Sequence, residues 1–351
     1  MKINTIELEK PIIQGGMGVG VSMGNLAGAV AKNGGMGVIS TANIGFQKKD
    51  FLKNSLRASE ESLAFEIKKA KEISKGNGLI AINAMVATVQ YKEMIKAAVK
   101  NGIDCVISGA GVPLYLPEYV AGTEVLIAPI VSSGKSTKAV LRFWDKKYER
   151  TADFIVIEGA RAGGHLGFSY EDIIENKAQS LEIILQDVKS IIKQFEEKYK
   201  RKIPIFVAGS LNTREKVESI MKSGADGVQV ATRFITTKEC DATIDYKRKY
   251  VEASNKDIVI IKSPVGMPGR ALRTPLIEKI EKGKVRPKFC INCIHTCNPL
   301  DTLYCITNAL IKAQQGDFEN GLFFCDDDVD ILREITTVEK VIEELMPSRR
   351  E

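Results

Sequence analysis

The strongest constraint in this chain of 351 residues is a recurring beat of short, unbroken apolar runs. They fall at residues 12–14, 37–41, 79–83, 105–108, 125–129, 154–158, 205–208 and 227–230. Each run is continuous rather than alternating, the pattern of strands buried on both faces of a parallel sheet. Helical patterns separate most of them, at 25–32, 60–74, 91–101, 135–148, 181–199 and 214–222. Strand–helix alternation predicts an α/β fold, and eight strands predict a (β/α)8 TIM barrel rather than a doubly wound sheet. The stretch Gln14-Gly15-Gly16-Met17-Gly18-Val19-Gly20 after the first run is glycine-rich, yet it lacks the GxGxxG spacing of a dinucleotide fold. The alternation fades after about Cys240, where Pro264, Pro268, Pro275 and Pro287 punctuate the chain. The expected organisation is therefore a barrel at 1–240 and an appended, cysteine-bearing region at 241–351. That region is partly helical (302–315 and 338–345) and placed to act as a substrate lid.

Composition removes several classes. At 44% hydrophobic and a net charge of +6, the chain is too apolar and too weakly charged for disorder. Basic residues sit among acidic ones, as in Lys146-Lys147-Tyr148-Glu149-Arg150, which marks solvated helix faces and disfavours nucleic acid. Residues 11–31 carry no charge, but glycines together with Gln14, Ser22 and Asn25 argue against a membrane span. No apolar signal segment follows Met1, so a cytoplasmic location is expected.

Glycine concentrates where barrel strands should end. Gly15-Gly16-Met17-Gly18 follows the first run and Ser108-Gly109-Ala110-Gly111 the fourth. Glu158-Gly159-Ala160-Arg161-Ala162-Gly163-Gly164-His165 follows the sixth, Ala208-Gly209-Ser210 the seventh and Gln229-Val230-Ala231-Thr232-Arg233 the eighth. Such loops let backbone N–H groups approach a ligand, and the loops after strands seven and eight are the usual phosphate site of a barrel. Tight βα turns alone would also favour small residues. The segment 163–176 is long for a βα loop, which points to function.

The motifs Pro11-Ile12-Ile13-Gln14-Gly15-Gly16-Met17, Ala162-Gly163-Gly164-His165, Ala208-Gly209-Ser210 and Gln229-Val230-Ala231-Thr232-Arg233-Phe234 resemble those of the FMN-dependent nitronate monooxygenase (2-nitropropane dioxygenase) family. Its superfamily includes flavin-dependent enoyl-ACP reductases. Gly266-Met267-Pro268-Gly269-Arg270-Ala271-Leu272-Arg273 resembles a Gly-Arg-Pro-Ala-Arg stretch found after the barrel in those proteins. The resemblance covers about residues 10–275. It implies that Gly16, Met17 and Gly18 line FMN, that Asn83 and Glu158 hydrogen-bond it, and that Gly163 lies close to it. It implies further that Gly209, Ser210, Ala231 and Thr232 hold the phosphate, with Gln229 adjoining, and that His165 is catalytic. The chain departs from the pattern at Ser210 and Ala231, where glycine is common, and at Arg161, where an acidic residue is common. Glu158 stands where some nitronate monooxygenases have Gln and enoyl reductases can have Glu.

Imidazole can donate or accept a proton near neutrality, so His165 beside a flavin could orient an anionic nitronate or protonate a reduced substrate. The resemblance thus implies an oxidoreductase that oxidises alkyl nitronates with O2. The alternatives are an NAD(P)H-dependent enoyl-thioester reductase and a non-enzymatic flavin- or metal-binding module. Expected partners are a small-molecule substrate (nitronate or enoyl thioester), NAD(P)H for the reductase, and a second copy of the chain in a homodimer.

The cysteines carry a separate signal. Of seven, Cys290, Cys293, Cys297 and Cys305 crowd together, and His295 lies among them. Thiolates at such spacings suit a [4Fe–4S] cluster, or zinc with His295. The run is similar in outline to the motif of barrel iron–sulfur flavoenzymes, with a shorter last spacing. Reduced thiols that simply pack the appended region are the third reading.

Overall fold

The eight apolar runs close on themselves. The computed structural model describes residues 1–287 and 289–346. It forms strands β1 (Ile12–Gln14), β2 (Met36–Ser40), β3 (Leu79–Met85), β4 (Cys105–Gly109), β5 (Leu126–Val131), β6 (Ile155–Glu158), β7 (Ile205–Ala208) and β8 (Gly227–Val230). They make a closed barrel in which β8 pairs with β1, and every neighbouring pair is parallel.

The unbroken apolar runs follow from the two faces of each strand. Ile13, Val38, Ala81, Ile107, Ala128, Val156 and Phe206 pack inside the barrel. Their sequence neighbours Ile12, Ile39, Ile82, Val106, Ile127, Ile157 and Val207 pack outward against the helices. Both sets are buried, so no polar alternation survives in the sequence. Ile3 and Leu8 from the N-terminal segment join the inner core.

Strand boundaries shift where pairing extends them. β3 runs on to Met85 because Ala84 and Met85 pair with Ser108 and Gly109 of β4. The helix expected at 60–74 begins at Ser55, where the Asn54 side chain accepts the Arg57 N–H. The helix expected at 302–315 spans only Ile306–Gln314, because Cys305 before it is extended.

The N-terminal face of the barrel is held by aspartates that precede strands. Asp104 accepts the Ile80 N–H at 2.9 Å, Asp153 the Ile127 N–H at 2.7 Å and Asp226 the Ile205 N–H at 2.9 Å. Asp153 is buried and also meets Arg201 at 2.6 Å, Arg150 at 3.2 Å and Asn4 at 2.7 Å.

After the barrel, β9 (Ile258–Lys262) and β10 (Pro268–Leu272) pair antiparallel, and β10 takes Gly164–His165 as a third, short strand. The C-terminal helix Val338–Leu345 returns to the barrel and packs on the helix Gly24–Lys32. Val338, Val341 and Leu345 share one hydrophobic cluster with the barrel helices, while Ile261, Leu276, Ile294, Tyr304 and Leu322 form a separate one. No helix among the described residues is long and apolar enough to cross a membrane.

Candidate active site

The C-terminal ends of the strands surround a cavity of about 440 Å³, within the range of small-molecule sites. Gly16, Met17 and Gly18 reach it from the loop after β1, and Asn83 from β3. Glu158, Gly163 and His165 reach it from β6 and the loop beyond. Gly209 and Ser210 follow β7, while Gln229, Ala231 and Thr232 come from the end of β8. Every flavin-site residue expected from the sequence therefore faces one cavity.

The glycines are there for two reasons. A Cβ on Gly16 would lie 2.4 Å from the Cβ of Asn83, and one on Gly163 would lie 2.5 Å from the backbone carbon of Cys325. At these positions protein packing alone excludes a side chain. At Gly209 (φ +142°) the backbone itself calls for glycine. Ser210 follows in the left-handed region at φ +57°, where a glycine would be unstrained.

His165 is held by the appended region. It sits opposite Gly269 of β10 in the short sheet. Its Nε2 lies 2.8 Å from Ser263 Oγ, and its ring meets Phe324 edge-on with centroids 5.0 Å apart. Ser263 Oγ already accepts the Val265 N–H at 3.3 Å, so its own proton is free to point at Nε2. With Ser263 as the donor, the ring proton sits on Nδ1, which has no protein partner among the described residues; with the other tautomer, Nε2–H donates to Ser263 Oγ. The ring is partly open to the cavity and enclosed elsewhere, and burial pushes its pKa down to about 4. His165 is therefore neutral at pH 7.

Glu158 is the second titratable group of the cavity. Burial raises its carboxyl to about 7, although the Gly167 N–H (3.1 Å to Oε1) and the nearby Arg270 cation act the other way. Arg270, from β10, is itself buried and donates to the carbonyls of Ala160 and Ala162. It thereby fixes the loop that carries His165. The post-barrel stretch Gly266–Arg273 noticed in the sequence thus works at the site, as the strand and the cation behind the histidine loop. Arg161, a departure from the family pattern, pairs with Asp327 and ties the same loop to the C-terminal segment.

Ser263, Phe324, Asn212 and Asp326 were not foreseen. Asn212 lines the cavity and is fully buried, and its Oδ1 has no hydrogen-bond partner. Asp326 lines the same wall. Burial raises its pKa to about 6, and its carboxylate is turned to the Asp328 N–H at 3.1 Å. These residues lie after β7 or far beyond the barrel, where no motif marked them.

The sequence matches the nitronate monooxygenase family over residues 1–348. The chain belongs to this family, whose members are oxidoreductases. Among curated relatives, a probable nitronate monooxygenase of Staphylococcus saprophyticus is 24% identical, with 80% of this chain and 82% of that protein covered. The Mycobacterium tuberculosis (3aS,4S,5R,7aS)-5-hydroxy-7a-methyl-1-oxo-octahydro-1H-indene-4-carboxyl-CoA dehydrogenase is 23% identical over 79% of this chain, which spans about two thirds (67%) of that relative's length. Among solved structures, FabK from Thermotoga maritima superposes with a TM-score of 0.74 at 24% identity, covering 97% of this chain and 92% of that one. That likeness bears on the fold, and it agrees with the closed eight-strand barrel.

The cysteine expectation fares differently. Among the described residues no group of three or more His, Cys, Asp or Glu side chains is arranged to hold a metal ion as it stands. His295 is exposed and is not among the residues that line the cysteines' cavity, so the zinc arrangement that used it has no support in the described residues.

Proposed function

We propose that the barrel mouth binds FMN and that the chain is an FMN-dependent oxidoreductase that oxidises alkyl nitronates with O2, with His165 as the catalytic residue. The observation that carries this is the convergence of His165, Glu158 and the loops after β7 and β8 on one cavity. The donor set suits the cofactor. The side-chain amides of Asn83 and Gln229 face the cavity without protein partners among the described residues, as ring-contacting groups should. The orphaned Asn212 Oδ1 would accept a hydroxyl of the sugar-like chain. Gly209, Ser210, Ala231 and Thr232 would hold the phosphate, and the Thr232 hydroxyl oxygen is already positioned by the Asp326 N–H at 3.1 Å. Gly16, Met17, Gly18 and Gly163 would wall the ring. When bound, FMN supplies the two-electron chemistry that no side chain offers.

The chain's own residues orient and manage protons. Neutral His165 would donate a hydrogen bond from Nδ1–H to an anionic nitronate oxygen, in the tautomer in which Ser263 donates to Nε2. A Glu158 that is largely protonated below about pH 7 adds no charge to repel the anion. Phe324, Met267 and Leu310 cover the mouth with apolar surface and exclude water; this is the lid role proposed for region 241–351.

A second reading is an NAD(P)H-dependent enoyl-thioester reductase. Two observations favour it: the apolar wall would take an acyl chain, and Glu158 is an acid poised near neutrality. Anaerobic stopped-flow mixing with propyl nitronate, NADH and NADPH in turn separates the two. Flavin bleaching by propyl nitronate alone is the expected result. Bleaching by NAD(P)H with reoxidation by an enoyl thioester would establish the reductase. A protein that takes up no FMN would end both.

A further inference from the structure

We propose a second site, away from the barrel mouth: a metal centre held by the thiolates of Cys290, Cys293, Cys297 and Cys305, either an iron–sulfur cluster or zinc. It does not depend on FMN or on the reaction proposed above. All four thiols line one small apolar cavity of about 20 Å³, walled by Pro287, Ile294 and Ile306. The other three cysteines, Cys105, Cys240 and Cys325, are buried elsewhere. Within the 16-residue stretch that carries them, all four line the same hole, beside the first turn of the helix Ile306–Gln314.

The chemistry of the four matches a soft metal. Thiolates favour zinc and iron–sulfur clusters over hard cations, and four of them complete either site without another residue. Cys305 is the N-cap of the helix Ile306–Gln314, which places the fourth sulfur at the end of a regular element. Cys293 Sγ lies 3.0 Å from Thr307 Oγ1 in the first turn of the same helix, which gives that sulfur an outer hydrogen bond. The thiols are not drawn into a ligand set as they stand, so loading must close the 290–297 segment onto the helix. One side of that segment is already anchored. The Val89 N–H donates to the Cys293 carbonyl at 3.1 Å and the His295 N–H to Ala87 O at 3.0 Å, with Thr88 bridged to Ile294.

The anchor makes the site consequential. Val89 lies four residues from Met85 of the barrel mouth, a chain separation of at most about 14 Å. Leu310 of the cysteine-capped helix lines the mouth as well. Metal bound here would brace two elements of the mouth's wall from outside.

The test is elemental analysis of the full-length protein, purified without oxygen and reconstituted in parallel with zinc and with ferrous iron plus sulfide. Zinc loading should give about one ion per chain, and a cubane cluster about four irons and four acid-labile sulfides with broad visible absorbance. Cys293→Ser combined with Cys305→Ser should drop the metal at least about tenfold. Cys240→Ser, whose thiol merely donates to Val21 O at 3.4 Å, should keep it. Circular dichroism checks that each variant is folded. Wild-type protein that retains neither metal after both reconstitutions overturns the proposal, and so does metal that survives the double substitution.

Discussion

The two ends of the barrel use charge in opposite ways. At the N-terminal face, Asp104, Asp153 and Asp226 are each satisfied by a strand N–H and a basic side chain, and nothing is left over for a ligand. At the C-terminal face, Glu158 and His165 are shifted toward neutrality by burial, and Asn212 has an unspent acceptor. Satisfied polar groups stabilise, while unsatisfied and perturbed ones are available for chemistry. The contrast matches the general division of labour in such barrels, and here it has named atoms.

The comparison can be broken by variants that confuse the two roles. His165→Ala should lower kcat by about 10²–10³-fold, the usual worth of a hydrogen-bond donor aimed at negative charge in a site. Its thermal midpoint should stay near that of wild type, and a large fall would mean the ring is a structural part of the short sheet. Asp153→Ala should behave in reverse. Removing a buried carboxylate that faces two arginines costs about 3–5 kcal/mol, read by urea unfolding, while kcat per folded molecule stays constant. Activity lost in proportion beyond unfolding would couple the faces.

Gly163→Ala sharpens the contrast, because it lies at the mouth yet is fixed by packing. Its new methyl would press on the Cys325 backbone, so a loss of about 1–3 kcal/mol is expected. Unchanged stability would show that this loop yields freely. Glu158→Gln tests the perturbed acid. The wild-type carboxyl becomes anionic as pH rises through about 7, so KM for an anionic nitronate should rise across that range. The amide cannot ionise, and its KM should stay flat there; an identical slope in both proteins would exclude Glu158 as the cause. Ser210→Gly should have the smallest effect. It relieves a left-handed serine but loosens the unfolded chain, for a net change under about 1 kcal/mol. A larger loss would mean that the hydroxyl carries a bond the fold needs.

Much of the barrel was legible because each strand is buried on both faces and therefore reads as a continuous apolar run. β1, β7 and β8 lie where the sequence places them, while β3 was cut short at Asn83 because its last pairs depend on β4, which local sequence does not encode. The glycine loops pointed to the mouth, although Gly16 and Gly163 turn out to be held by protein packing as much as by any ligand. Ser263 and Phe324 could not be found in advance. They reach His165 across 98 and more residues of chain, through a β10 pairing that carries no periodic signature. Beyond residue 240, Ile261, Leu276, Ile294 and Leu322 pack in a cluster of their own, while Val338–Leu345 folds back onto the first barrel helix. An amphipathic helix announces its apolar face but not its partner.

The central claim is that the mouth is built for FMN, and titration of the apoprotein with FMN, followed by flavin fluorescence, tests it most directly. The account predicts saturable binding at one FMN per chain, retained in His165→Ala and weakened at least about tenfold when the Gly209–Ser210 turn is distorted by Gly209→Val, a substitution that φ +142° does not tolerate. Absence of saturable binding by a folded wild-type protein, or equal affinity in folded Gly209→Val, would contradict it.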